Sequence, residues 1–148
     1  MYDKRITNGR VYFDGKLKKC NIYINHDKIV KITEDYLYAK DTLDVQNSLV
    51  LPGLIDPHVH FDLDLGYIRS RDNFISGTKA AAFGGVTTII DFLEPVDNVE
   101  DLEKAYHKRL KEAQGAYVDY FFHATIKDPK CGLEEFVIKM KELGINSL

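Results

Sequence analysis

Residues Leu49 to Asp64 read LVLPGLIDPHVHFDLD, and the reading of the whole chain starts from them. The stretch runs apolar from Leu49 to Ile55, breaks at Asp56-Pro57, and then presents His58 and His60 at spacing i, i+2. A continuous apolar run of this kind is expected of a strand covered on both faces, as in a parallel sheet. Residues i and i+2 of a strand point to the same face, so His58 and His60 converge while Val59 turns the other way into packing. They fall at the C-terminal end of the strand, where α/β folds place their active sites. Neutral imidazoles side by side suit Zn²⁺ or a similar borderline metal. The bare spacing also fits two ordinary polar residues; the apolar strand and the Asp-Pro break before it favour the metal.

Downstream, apolar runs alternate with helical patterns. RDNFISGTKAAAFGG (71–85) puts Phe74, Ile75, Thr78, Ala81 and Ala82 on one helical face, with Ser70 or Asp72 available to cap it and Gly84-Gly85 to end it. VTTIIDF (86–92) reads as a second buried strand. DNVEDLEKAYHKRLKEAQG (97–115) reads as a helix with Val99, Leu102, Tyr106, Leu110 and Ala113 inward and Asn98 and Gly115 at its ends. YVDYFFHATI (117–126) is a third strand, LEEFVIKMKELG (133–144) a third helix, and INSL (145–148) the start of a fourth strand. Such alternation implies a parallel sheet built from right-handed βα crossovers, either an open doubly wound sheet or the opening of a (β/α)₈ barrel.

Upstream of Leu49 the period changes to two. RITNGRVYFDG (5–15) sets Asn-Gly and Asp-Gly turn signals on either side of Val11 and Phe13. KKCNIYINHDKIVKI (18–32) alternates Cys20, Ile22 and Ile24, turns at His26-Asp27, and resumes at Val30 and Ile32. This predicts a half-buried antiparallel sheet, with His26 solvated in a turn.

Composition sets the outer limits. The 148 residues carry a net charge of −3, with 45% apolar and 29% charged residues, as in a globular protein with a real core. Lys and Glu are interspersed, which speaks against nucleic acid or an anionic membrane surface as partner. No run approaches the roughly 18 apolar residues of a membrane span, and MYDKRITNGR (1–10) lacks the apolar core of a signal peptide, so the expected location is cytoplasmic. Cys20 and Cys131 stand far apart with no CxxC partner and are read as reduced thiols. Among the remaining polar residues, Asp91 ends the second strand, as a support for a metal-bound histidine or as a cap or turn former. His123 ends the third strand with the same geometry. Asp56 is read as a turn former before Pro57, Asp62 and Asp64 as loop-ordering, and His107 as a surface residue.

LVLPGLIDPHVHFD, then SGTKAAAFGGVTTIIDF, then VDYFFHATI together resemble the opening of the hydantoinase and dihydropyrimidinase branch of the amidohydrolase superfamily, over nearly the whole chain. The resemblance implies the α/β architecture of a (β/α)₈ TIM barrel joined to a small β-sandwich built from both chain ends. Residues 1–50 would then be the sandwich segment and 51–148 the first three and a half βα units. It implies a binuclear zinc site at the barrel's C-terminal face, with His58 and His60 as metal ligands and hydrolysis of a ring amide C–N bond in a small cyclic amide or ureide. His123 matches a position where the family often has a histidine outside the metal shell. Dihydroorotase and allantoinase are close relatives, but dihydroorotases usually carry Arg two places after the second His; Asp62 stands there, preceded by Phe61, as in hydantoinases.

The family's other ligands, a carboxylated lysine and later histidines and an aspartate, match nothing in these residues. The expectation is an N-terminal fragment of a cytoplasmic, homo-oligomeric enzyme, without a catalytic residue of its own and inactive by itself. A non-enzymatic dihydropyrimidinase-related scaffold is the rival, against which both histidines count. A self-sufficient flavodoxin-like module is the other, and it lacks a Gly-rich phosphate loop.

Overall fold

A computed structural model describes all of residues 1–148, and they form two compact units, Met1–Pro52 and Gly53–Leu148. The first is one mixed sheet of five strands, β1 (Tyr2–Phe13), β2 (Lys16–Asn25), β3 (Lys28–Thr33), β4 (Ala39–Asp44) and β5 (Leu49–Val50). Its order is β3-β2-β1-β4, with β5 also on β1. The β1–β2 and β2–β3 pairs are antiparallel as the alternation predicts, but β4 and β5 pair with β1 in parallel. Asp14-Gly15 makes the β1–β2 hairpin, both residues at positive φ (55° and 70°), the geometry of the tight turn that matches strand twist. Asn8-Gly9 is no turn. Asn8, at φ 58°, sits inside β1, where three steps from Ile6 to Gly9 face two from Ile22 to Cys20. The left-handed residue inserts a bulge and lets the long strand bend. Val11, Cys20 and Ile22 form the buried core of this unit, with Ile6, Ile24, Ile32 and Val50 packed on it.

The apolar run 49–55 is therefore not one strand. Pro52-Gly53 divides it, and Leu49–Val50 serves the first sheet while Leu54–Val59 opens the second unit as β6. There follow α1 (Phe74–Phe83), β7 (Val86–Phe92), α2 (Val99–Glu112), β8 (Asp119–His123) and α3 (Leu133–Glu142). The three strands form a parallel sheet in the order β6-β7-β8. The expectation of a strand covered on both faces fails for β6: it lies at the sheet edge, and Leu54 and Ile55 are exposed. The central β7 comes nearest to it, with Ile89 and Asp91 wholly buried.

All three helices cover one face. Phe74 from α1, Leu102 and Ala105 from α2, and Phe136 and Met140 from α3 share a core with Ile89, Leu93, Phe122 and Ala124. At the start of α1 the cap is Asn73, whose side chain accepts the Ser76 N–H at 2.9 Å, rather than Ser70 or Asp72. At the start of α2, Asn98 accepts the Asp101 N–H at 2.8 Å as expected. Gly85 provides the left-handed residue (φ 83°) between α1 and β7. Residues 145–148 form no strand, although the Ala124 N–H donates to the Ser147 carbonyl at 3.0 Å.

Candidate metal centre

Strand register decides which side chains meet. Val59 pairs with Asp91, Asp91 with Phe122, and Phe92 with His123. Val59, Asp91 and Phe122 therefore face the helices, and His58, His60, Phe92 and His123 share the opposite face at the C-terminal ends of the strands. The Nε2 atoms of His58 and His60 stand 3.2 Å apart, their rings edge-on with centroids at 5.0 Å. Two nitrogens bound to one tetrahedral zinc at about 2.0–2.1 Å are about 3.3 Å from each other. The pair thus fits a single divalent ion. Without one, a proton shared between the two nitrogens makes the same approach favourable.

Phe92 underlies the cluster. Its ring centroid lies 4.6 Å from that of His58, 4.8 Å from His60 and 4.7 Å from His123. His123 in turn bonds through Nε2 to the Pro57 carbonyl at 2.9 Å and through Nδ1 to the Ser147 hydroxyl at 2.6 Å. A carbonyl only accepts, so the His123 proton is on Nε2, and in the neutral ring the hydroxyl donates to Nδ1. His123 thereby holds the residue before His58. Asp56 holds the next one, accepting the His58 N–H at 3.2 Å.

Asp91 touches no histidine ring. Its Oδ2 accepts the Phe61 N–H at 3.1 Å, its Oδ1 accepts the Phe92 N–H at 2.6 Å, and Arg109 Nη2 stands 3.1 Å from both oxygens. The same Nη2 donates to the Phe61 carbonyl at 2.6 Å, and Nη1 donates to Glu112 at 2.8 Å. Asp91 is wholly buried and Arg109 nearly so, with its guanidinium 4.8 Å from the centroid of Phe74 and its Nε unpartnered. Burial pushes the Asp91 carboxyl above the usual carboxylate value, opposed first by the Arg109 charge and then by the N–H groups of Phe92 and Phe61.

The sequence reading did not single out Arg109, Phe92 or the role of Phe61. For Arg109 the signal was present: it lies seven residues after Leu102 and four before Ala113, on the helix face that those residues turn inward. Asp62 leaves the strand at φ 52° and pairs with Arg69 at 2.9 Å, and Asp64 accepts the Gly66 N–H at 2.8 Å; both order the loop. His107 and His26 are exposed. Cys20 and Cys131 are free thiols, and no group of three or more His, Cys, Asp or Glu side chains is placed to hold a metal. No helix is long and apolar enough to cross a membrane.

No protein-family model matches the chain. It is 37% identical over 147 residues to a D-hydantoinase from Geobacillus stearothermophilus, covering 97% of this chain and 31% of that protein. It is 37% identical over 131 residues to a dihydroorotase from Methanothermobacter thermautotrophicus, covering 86% of this chain and 28% of the relative. The crystal structure of a dihydropyrimidinase from Brevibacillus agri superposes with a TM-score of 0.84 at 33% identity, over 97% of this chain and 31% of the other. The chain spans about a third of the length of the relatives it matches.

Proposed function

Because this chain is homologous to the N-terminal part of hydantoinases and dihydropyrimidinases of the amidohydrolase superfamily, we propose that it supplies part of the metal centre of a cyclic amidohydrolase. Its reaction is hydrolysis of a ring amide C–N bond in a small cyclic amide or ureide, and its barrel is the (β/α)₈ type that the three βα units open. The observation that carries the reading is the 3.2 Å separation of the His58 and His60 Nε2 atoms at the end of a parallel strand. Zinc, when bound, supplies Lewis-acid activation of water and of the amide carbonyl. The chain's own contribution is to hold two imidazoles on one strand face with their Nε2 atoms 3.2 Å apart. Phe92 limits the tilt of both rings from below, and the Pro57–His123 and Asp56–His58 hydrogen bonds fix the backbone that carries them.

Two imidazoles leave most of a zinc shell to water, and a firmly held ion with an open position is what makes its water acidic. The 148 residues alone are therefore assigned weak metal binding and no turnover. Cytoplasmic location, consistent with two free thiols, and self-association through exposed edge side chains such as Leu54, Ile55 and Phe121 complete the proposal. Calorimetric titration with Zn²⁺ tests its core. Binding is expected for the wild type and is lost in His58→Ala/His60→Ala; equal binding by the two overturns the assignment.

A further inference from the structure

The residue after His60 is fixed more thoroughly than a strand end requires. Phe61 sits where β6 leaves the sheet, yet both of its peptide groups are held by one buried ion pair: the N–H by Asp91 at 3.1 Å and the C=O by Arg109 at 2.6 Å. The two partners come from different elements, Asp91 from β7 and Arg109 from α2, and are themselves joined at 3.1 Å. The Phe61 ring is fixed as well, lying against Phe74 with centroids at 5.7 Å and against the bare backbone of Gly77. Burying a carboxylate and a guanidinium together gives little net stability, since an apolar pair of similar volume often serves as well or better. What an ion pair provides that an apolar pair does not is direction. Here the direction is onto the two peptide groups that flank one residue, next to one of the two imidazoles.

We propose that Asp91 and Arg109 are positioning residues that act through the Phe61 backbone to set the orientation of His60 toward a shared ion with His58. This rests on the metal reading above and extends it to a residue on α2 that touches neither histidine. The pair works from behind the sheet. It anchors the Cα of His60 by way of the next peptide, while Phe92 bounds the ring on the other face.

The test uses the 148-residue chain in two arms. Without metal, amide exchange of Phe61 in the wild type is expected to be protected to the level of β7 amides, although Phe61 lies outside the strand. In Asp91→Leu/Arg109→Met, which replaces the charges by similar volumes, it is expected to accelerate at least tenfold while the urea midpoint stays near the wild type. With Co²⁺, the pair variant is expected to bind tenfold or more weakly with an altered visible spectrum, in the range seen when groups behind a metal ligand are removed. Leu102→Ala, a core truncation on the same helix, is the control; it is expected to lower the urea midpoint and leave the spectrum unchanged. Wild-type Phe61 exchanging at an unprotected rate overturns the proposal without any variant being needed. So does a folded pair variant with wild-type exchange and spectrum, or a Leu102→Ala spectrum altered as much as the pair's. If the pair variant does not fold, Arg109→Lys, which keeps the charge but not the fork, is expected to show the same changes at smaller size; an unchanged spectrum there also overturns it. Failure of the metal reading is distinct: the wild type then shows no Co²⁺ binding that depends on His58 and His60, and the exchange arm alone decides the clamp.

Discussion

Replacing Gly77 by alanine sets two opposed effects against each other at one atom. A Cβ on Gly77 would lie 2.2, 2.5 and 2.7 Å from Cε1, Cδ1 and Cζ of Phe61, where ordinary contact begins at 3.4 Å. The ring must therefore retreat by about 1.2 Å, the difference between 3.4 and 2.2 Å, and its surroundings oppose this. Its edge faces Phe74, and its backbone is tied to Asp91 and Arg109. Overpacking of this kind costs about 1–3 kcal/mol. Alanine in place of glycine within a helix returns roughly 0.5–1 kcal/mol of backbone entropy. The clash wins, and Gly77→Ala is expected to lose about 0.5–2 kcal/mol by that difference. Urea melting by linear extrapolation reads it, with an unchanged slope showing that the denatured state is the same. A cycle with Phe61→Leu, whose smaller side chain makes room for the methyl, should give a coupling of about 1 kcal/mol or more. A Gly77→Ala chain as stable as the wild type, or a coupling near zero, would refute the claim that the Phe61 ring is held against this helix.

Two further outcomes follow from hydrogen bonds around the same unit. Thr78 is wholly buried, and its hydroxyl donates to the Phe74 carbonyl and accepts the Tyr117 N–H at 3.0 Å. Thr78→Val keeps the shape and orphans that N–H, so a loss of roughly 1–2 kcal/mol is expected in urea melts, with Thr78→Ser losing less. Asn98→Ala removes the α2 cap and is expected to cost about 1 kcal/mol. It also changes the acid limb. A hydrogen bond from Lys104, and next one from Asn98, hold the Asp101 carboxyl below its ordinary value of 3.8, so its contribution is complete above that value and is lost as pH falls through the lower folded one. Stability measured down through this window should fall less steeply in Asn98→Ala than in the wild type.

The sequence by itself determined the alternation of strands and helices between Leu54 and Glu142 and the shared face of the two histidines. Periods of two before Leu49 and of helical spacing after Asn73 follow from which residues must be buried, and they are local properties that need no partner to be read. The i, i+2 spacing was enough to put His58 and His60 on one face, because alternation along a strand is fixed by the backbone. What it could not decide was anything set by contacts distant in the chain. The apolar run at 49–55 divides between two sheets because Pro52-Gly53 interrupts it, and only pairing shows that Leu49–Val50 belongs with β1. Asn8-Gly9 carries the same letters as a hairpin turn and makes a bulge instead, since β2 continues past it. Asp91 carries no mark of its partner in the local sequence. Register with Val59 turns it away from the histidines, and Arg109, 18 residues on, reaches it only when α2 packs behind β7. That the two imidazoles stand side by side was legible in the sequence, whereas what holds them is a matter of packing across elements, which the fold alone decides.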